Sequence, residues 1–246
     1  MSAAPGRPKE RSLPLGGKAR SAKGVTISCA GPRGGACMRR ALLITGLAVL
    51  VAGWSVAAAD YGMTGHMLAH MAAVAIAAPL IAVGIAGTRA DPATRWPRIV
   101  APLPMSLIEL LVVWGWHLPA ARAFVAESAA GLLLEQAMFL AAGLLLWSAC
   151  LGTRDAGDSA RRAAGIVVLL LTTMHMTLLG VLVALAPRIL FATEGFTCLG
   201  IALPPLFDQQ LGGVVMLLVG AGSYLLGGLA LLSRLLRNDA PRMAWS

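Results

Sequence analysis

The chain has 246 residues, 58% of them hydrophobic and 13% charged, with a mean hydropathy of +0.77. A soluble domain carries about a quarter charged residues, so composition excludes an ordinary water-soluble fold and puts a lipid bilayer first among the partners. The net charge of +9 does not point to nucleic acid: nine of the twenty Lys and Arg lie within residues 1–40 against one acid, Glu10, and the others gather at the ends of apolar blocks, as at the cytoplasmic edges of membrane helices.

Residues 1–40 are rich in Gly, Pro, Ser and basic side chains without apolar periodicity, which predicts a disordered cytoplasmic tail. Met38 offers a second plausible start. Six apolar blocks follow at 41–59, 66–87, 99–117, 131–151, 163–186 and 211–233. Each matches the roughly 20 residues that cross a hydrocarbon core of about 30 Å. In lipid the backbone must satisfy its own hydrogen bonds, so each is predicted to be α-helical. The expected fold is an all-α integral membrane protein, a bundle of six transmembrane helices over 41–233, with a short basic tail at 234–246.

Alternating the helices from a cytoplasmic N-terminus puts eighteen of the twenty bases inside, leaving out only Arg122 and Arg188. The positive-inside rule therefore places both termini in the cytoplasm of a bacterial inner membrane. The first block also has signal-peptide features, with Arg39-Arg40 before it and Ala57-Ala58-Ala59 at its end. Its apolar run is long for a signal, which favours a retained helix; cleavage would leave five. The four cysteines, Cys29, Cys37, Cys150 and Cys198, show no CxxC or Cys/His zinc spacing. Gly213, Gly220 and Gly227 recur every seven residues in the last block, and such a stripe allows close helix approach in lipid.

Ionisable groups within membrane spans are costly and mark function. His66 and His70 open the second block, Glu109 and His117 belong to the third, Glu135 enters the fourth and His175 lies within the fifth, while Asp208 and Gln209 precede the sixth. At a rise of about 1.5 Å per residue, all lie in the outer half or near the midplane, so a site opening outward is expected. His66 and His70 share a helix face at i, i+4 and can chelate one metal. Met67, Met71, Met174 and Met176 surround the histidines in sequence. Thioether and imidazole together suit copper, above all Cu(I), although methionine is also ordinary packing material in such helices. Glu109 and Glu135 can pair with histidines, orient them, or carry protons. No nucleophile motif, phosphate loop or HExxH is present, and no enzymatic activity is expected.

The runs HMLAHM followed by AAPLIAVG, WGWHLP, LEQAMFLAAGLLLW, MHMTLLGVLVALAPRILF and FDQQLGG stand in this order across about residues 60–225. In them the chain resembles the membrane-spanning CtaG family of cytochrome c oxidase assembly factors. The resemblance implies a role in maturing the oxidase around its copper centres, with oxidase subunits as partners. On matching positions it points to His66, His70, His117, His175, Asp208 and Gln209. Ala120-Ala121-Arg122 follows the HLP run where the pattern has an aromatic, and Phe191 stands where it has a tyrosine. Other readings are a metal-free chaperone for an oxidase subunit, a haem-binding electron carrier, and a transporter for copper or a small solute.

Overall fold

Each apolar block becomes a helix, and the polar or proline-bearing stretches between them become the connections. The computed structural model describes residues 32–59, 61–151, 159–191, 196–198 and 201–243. The basic tail up to residue 31 with Cys29, the A-x-A boundary at Asp60, and the loop residues 152–158 with Arg154 lie outside the described residues.

Helix α1 runs Pro32–Ala58, and the second span is α2 (Gly62–Met71), a π-helical turn Ala72–Ala77, and α3 (Ala78–Ile85). A short α4 (Pro92–Arg95) leads to α5 (Pro102–Trp116) and α6 (Pro119–Glu127); α7 spans Ala129–Leu151 and α8 Ser159–Ala184. A small hairpin follows, β1 (Phe196–Cys198) antiparallel to β2 (Ile201–Leu203), before α9 (Pro205–Val215), a second π turn Met216–Ala221, and α10 (Gly222–Met243). Among the described residues, five helices are long and apolar enough to cross a membrane, and the number is six when α5 and α6, bent by 70° at their junction, are counted as one broken span. The fold is therefore the all-α membrane bundle that hydropathy predicts, with five or six spanning helices.

Four differences from the expected layout bear on the site or the topology. Helix α1 starts at Pro32, inside the stretch expected to be a disordered tail through residue 40. The last helix begins at Pro205 and continues to Met243, so Asp208 and Gln209 lie within its first turns rather than before it. The third span ends at Trp116, because Pro119 biases Leu118 out of the helical region, to ψ 140°. His117 thus sits in the break between α5 and α6. The hairpin is the fourth difference, since no strand was expected.

Leucines at 103, 107 and 111 line the outer face of α5, and Val167, Leu171, Met174, Leu178 and Leu182 line that of α8, all exposed at helical spacing. Such faces suit a hydrocarbon surround rather than water. Inside the bundle, the second span packs against α1, α7 and α9, while α8 packs against α5, α9 and α10. The glycine stripe works as packing: a Cβ on Gly213 would stand 2.4 Å from the Ala184 amide nitrogen, and one on Gly227 would stand 2.5 Å from the Trp147 ring. The backbone groups disturbed by the first π turn find partners on neighbouring helices. Trp147 Nε1 donates to Val74 O at 3.0 Å, and Ser223 Oγ donates to Ala75 O at 2.5 Å. At the bundle end away from His117, the Arg39 guanidinium donates to Gly84 O and Ala86 O, and that of Arg161 donates to Val100 O.

Candidate metal centre

The i, i+4 spacing of His66 and His70 puts both imidazoles on the face of α2 that looks toward α5 and α7. There they meet His117, which the proline break brings to the end of α5. The His66 and His117 ring centroids are 5.5 Å apart, and those of His70 and His117 5.3 Å. All three side chains are buried, and one ring nitrogen of each lies within 4.8 Å of the others. Among the described residues, this is the one group of three or more His, Cys, Asp or Glu side chains close enough to hold a metal ion.

The surroundings fix how these rings are presented. His117 Nδ1 donates to the Val113 carbonyl at 2.6 Å, so that nitrogen carries the proton and Nε2 keeps its lone pair. His66 Nδ1 lies 3.5 Å from Glu135 Oε2. His70 stacks on Phe139, with centroids 3.9 Å apart and planes 14° from parallel. Nε2 of His66, Nε2 of His117 and both nitrogens of His70 have no hydrogen-bond partner. Buried polar atoms are ordinarily paired, and a ligating histidine typically commits its other nitrogen to a carboxylate or a carbonyl. The donor set therefore fits a transition metal that takes imidazole, such as copper or zinc.

Residues 28–238 match the family described as cytochrome c oxidase caa3 assembly factor (Caa3_CtaG). The chain belongs to this family. Comparison with curated proteins and with solved structures returns no match.

In this CtaG-family assembly factor, the departure after the HLP run takes part in the site. Arg122 on α6 donates to Glu135 Oε1 at 2.8 Å, while the other oxygen of Glu135 faces His66. Arg122 was passed over in the sequence because it read as one of two bases on the outer side. Its signal was there: a base opposite a membrane-embedded acid needs a partner as much as the acid does. Phe139 was also missed, because an aromatic among alanines and leucines carries no mark of its neighbour.

The remaining predicted residues lie elsewhere. His175 is on α8 with Glu109, at 3.8 Å between Nε2 and Oε2, and is not in the trio. Met67 and Met71 are buried beside Gly212 and Gly220 of the last span. Met176 is also buried, with its Cβ toward Gly220, and Met174 is 69% exposed on the lipid-facing stripe of α8. The structure thus gathers three of the four histidines and leaves at least Met174 away from them.

Asp208 and Gln209 act as clamps between family runs distant in sequence. The Asp208 carboxylate accepts from the amides of Met63 at 2.7 Å and Thr64 at 3.0 Å, and the Thr64 hydroxyl donates to Asp208 O. Tyr61, the residue at the α2 N-cap, makes no side-chain cap of its own. Gln209 Oε1 accepts from Leu190 N at 2.7 Å, and its Nε2 donates to Arg188 O at 3.3 Å. The Asp208 bonds fix the start of the helix that carries His66, four residues on from Gly62; those of Gln209 tie the segment after α8 to the start of α9.

Proposed function

We propose that this assembly factor takes up copper at His66, His70 and His117 and presents it to a cytochrome c oxidase subunit during maturation of the oxidase copper centres. The single observation that carries this reading is the convergence of three buried imidazoles whose ring nitrogens lie within 4.8 Å and in part lack partners. Copper is the cargo here, not a resident cofactor. Three neutral imidazoles without a buried thiolate hold it reversibly, as a donor must. Glu135 and the Val113 carbonyl orient two of the rings, and Arg122 holds Glu135 in place.

The positive-inside pattern supports an orientation with both termini cytoplasmic and the trio toward the outer face of a bacterial inner membrane. A site near that face can exchange copper with periplasmic carriers and can be reached by an oxidase subunit folding beside it. His175 and Met176 lie deeper in the bundle and are not among the ligands of this site.

Copper per chain, measured by elemental analysis of protein purified in mild detergent under reducing conditions, tests the reading against a His66/His70/His117 triple-alanine variant. About one copper in the wild type and none in the variant supports it. An absence of copper from both, with normal assembly of the oxidase, would favour a chaperone that holds an oxidase subunit without metal. Cells carrying His70→Ala should lose oxidase activity while keeping the membrane level of the assembly factor itself.

A further inference from the structure

A second set of polar side chains lies deeper in the bundle. Glu109 on α5, His175 on α8 and Tyr224 on α10 come from three different helices, and all three are buried. Glu109 stands eight residues before His117, which caps the end of α5, about 12 Å further back along the axis of that helix. It is therefore a separate place from the trio.

The Tyr224 hydroxyl donates to Glu109 Oε1, and this leaves the other carboxylate oxygen, Oε2, facing His175 Nε2 at 3.8 Å. That distance is too long for a hydrogen bond. Glu109 Oε2 and both ring nitrogens of His175 have no hydrogen-bond partner. One turn further from the trio, the same two helices place Ser106 Oγ 3.3 Å from Thr172 Oγ1, which continues the polar strip between α5 and α8. A buried carboxylate oxygen and a buried imidazole nitrogen face each other at ion-pair distance without a hydrogen bond, and a cation between them would give both a partner. Ligand atoms bound to one metal at about 2.0–2.2 Å each stand roughly 3–4 Å apart, and the observed gap falls in that range.

We propose that Glu109 Oε2 and His175 Nε2 form a second site, for one divalent transition-metal cation, with Tyr224 as the residue that positions the carboxylate. A carboxylate with an imidazole is a harder donor pair than three imidazoles and favours a divalent ion. The carboxylate also offsets part of the cation's charge in a region of low dielectric. With two protein ligands the site binds weakly and leaves positions for water, as a station on a path does. It does not depend on copper binding at the trio.

Cobalt(II) titration of the full chain in mild detergent tests this, read as visible ligand-field absorption and as ions retained per chain. The trio is first removed by combining His66→Ala, His70→Ala and His117→Ala. The expected result is one cobalt per chain in that background, lost or weakened at least tenfold when Glu109→Gln or His175→Asn is added. Tyr224→Phe should weaken binding several-fold without abolishing it. Wild-type protein should bind one more ion than the trio variant if the trio also holds metal, and the same number if it does not, so failure at either site is read separately. Both added substitutions are close in size to the native side chains. In case they perturb folding, each is also made in the wild-type background, where it should remove one bound ion from protein that stays monodisperse in size exclusion. No cobalt in the trio-minus background, or equal binding with and without Glu109→Gln, overturns the proposal.

Discussion

The carboxylate of Asp208 accepts a 2.7 Å hydrogen bond from the backbone amide of Met63, joining the start of the last span to the start of the second. A negative charge at a helix N-terminus interacts favourably with the helix dipole and satisfies amides that otherwise have no partner. Because His66 follows within one turn, this cap also fixes the direction from which its imidazole meets His70 and His117.

Asp208→Ala should therefore lower the thermal unfolding midpoint in detergent, with a loss on the order of 1.5–3 kcal/mol for buried hydrogen bonds to a charged group. Asp208→Asn keeps one acceptor and should lose less. The same pair of variants should rank in the same order for copper affinity, measured by competition with a chelator. Unchanged unfolding in Asp208→Ala would show that the cap adds nothing.

Gly213 is the close-contact point of the glycine stripe, with the Ala184 amide nitrogen 2.4 Å from where a Cβ would stand and Gly180 O at 2.8 Å. Both are backbone atoms and cannot swing away. Gly213→Ala should destabilise by about 1–3 kcal/mol through overpacking, or separate α9 from α8. Gly222 meets nothing within 4 Å, so Gly222→Ala should be neutral or slightly stabilising by helix propensity. Thermal melts of the two variants in one detergent make the comparison, and equal melts would refute it.

Glu135 is fully buried between Arg122 and His66. Arg122→Ala leaves its carboxylate without a counter-charge and should destabilise by up to about 3 kcal/mol, the lower edge for breaking a buried pair, since Arg122 itself is partly exposed. The double variant Arg122→Ala/Glu135→Gln should recover most of that loss. On copper binding the order differs: Glu135→Gln removes the group that orients His66 and should weaken affinity about 10–100-fold. A double-mutant cycle with zero coupling energy would count against the pair.

Met174 faces lipid, whereas Met67 and Met71 are buried beside glycines of the last span. Met174→Leu should change neither stability nor copper content. Met67→Leu and Met71→Leu should cost less than about 1.5 kcal/mol, as volume-conserving swaps do, and should leave copper content unchanged if imidazoles alone hold the ion. A drop in copper with either of the last two would bring sulfur into the donor set.

The bundle could be read from hydropathy because spanning a hydrocarbon core sets both the length and the apolar character of a helix. That constraint is one-dimensional. It located the spanning helices, but it could not see α1 extending back to Pro32 or the last helix starting at Pro205, since helix ends are decided by local capping and packing as well as by hydropathy. His66 and His70 were paired correctly because helical periodicity alone puts i and i+4 on one face. Placing His117 with them needed the break at Pro119, whose presence is visible in the sequence but whose direction is not.

What the sequence determined by itself was axial position: which residues belong to apolar helices and how far along each helix they lie. Which helix faces which was decided only by tertiary packing. His175 and His70 look alike in the sequence, each buried in a methionine-rich run, yet one meets Glu109 and the other stacks on Phe139 beside His117. The physical reason is rotation. Hydropathy reports how far a residue lies along a helix, but its direction around the axis is chosen by the close glycine contacts and clamps that lock six helices together.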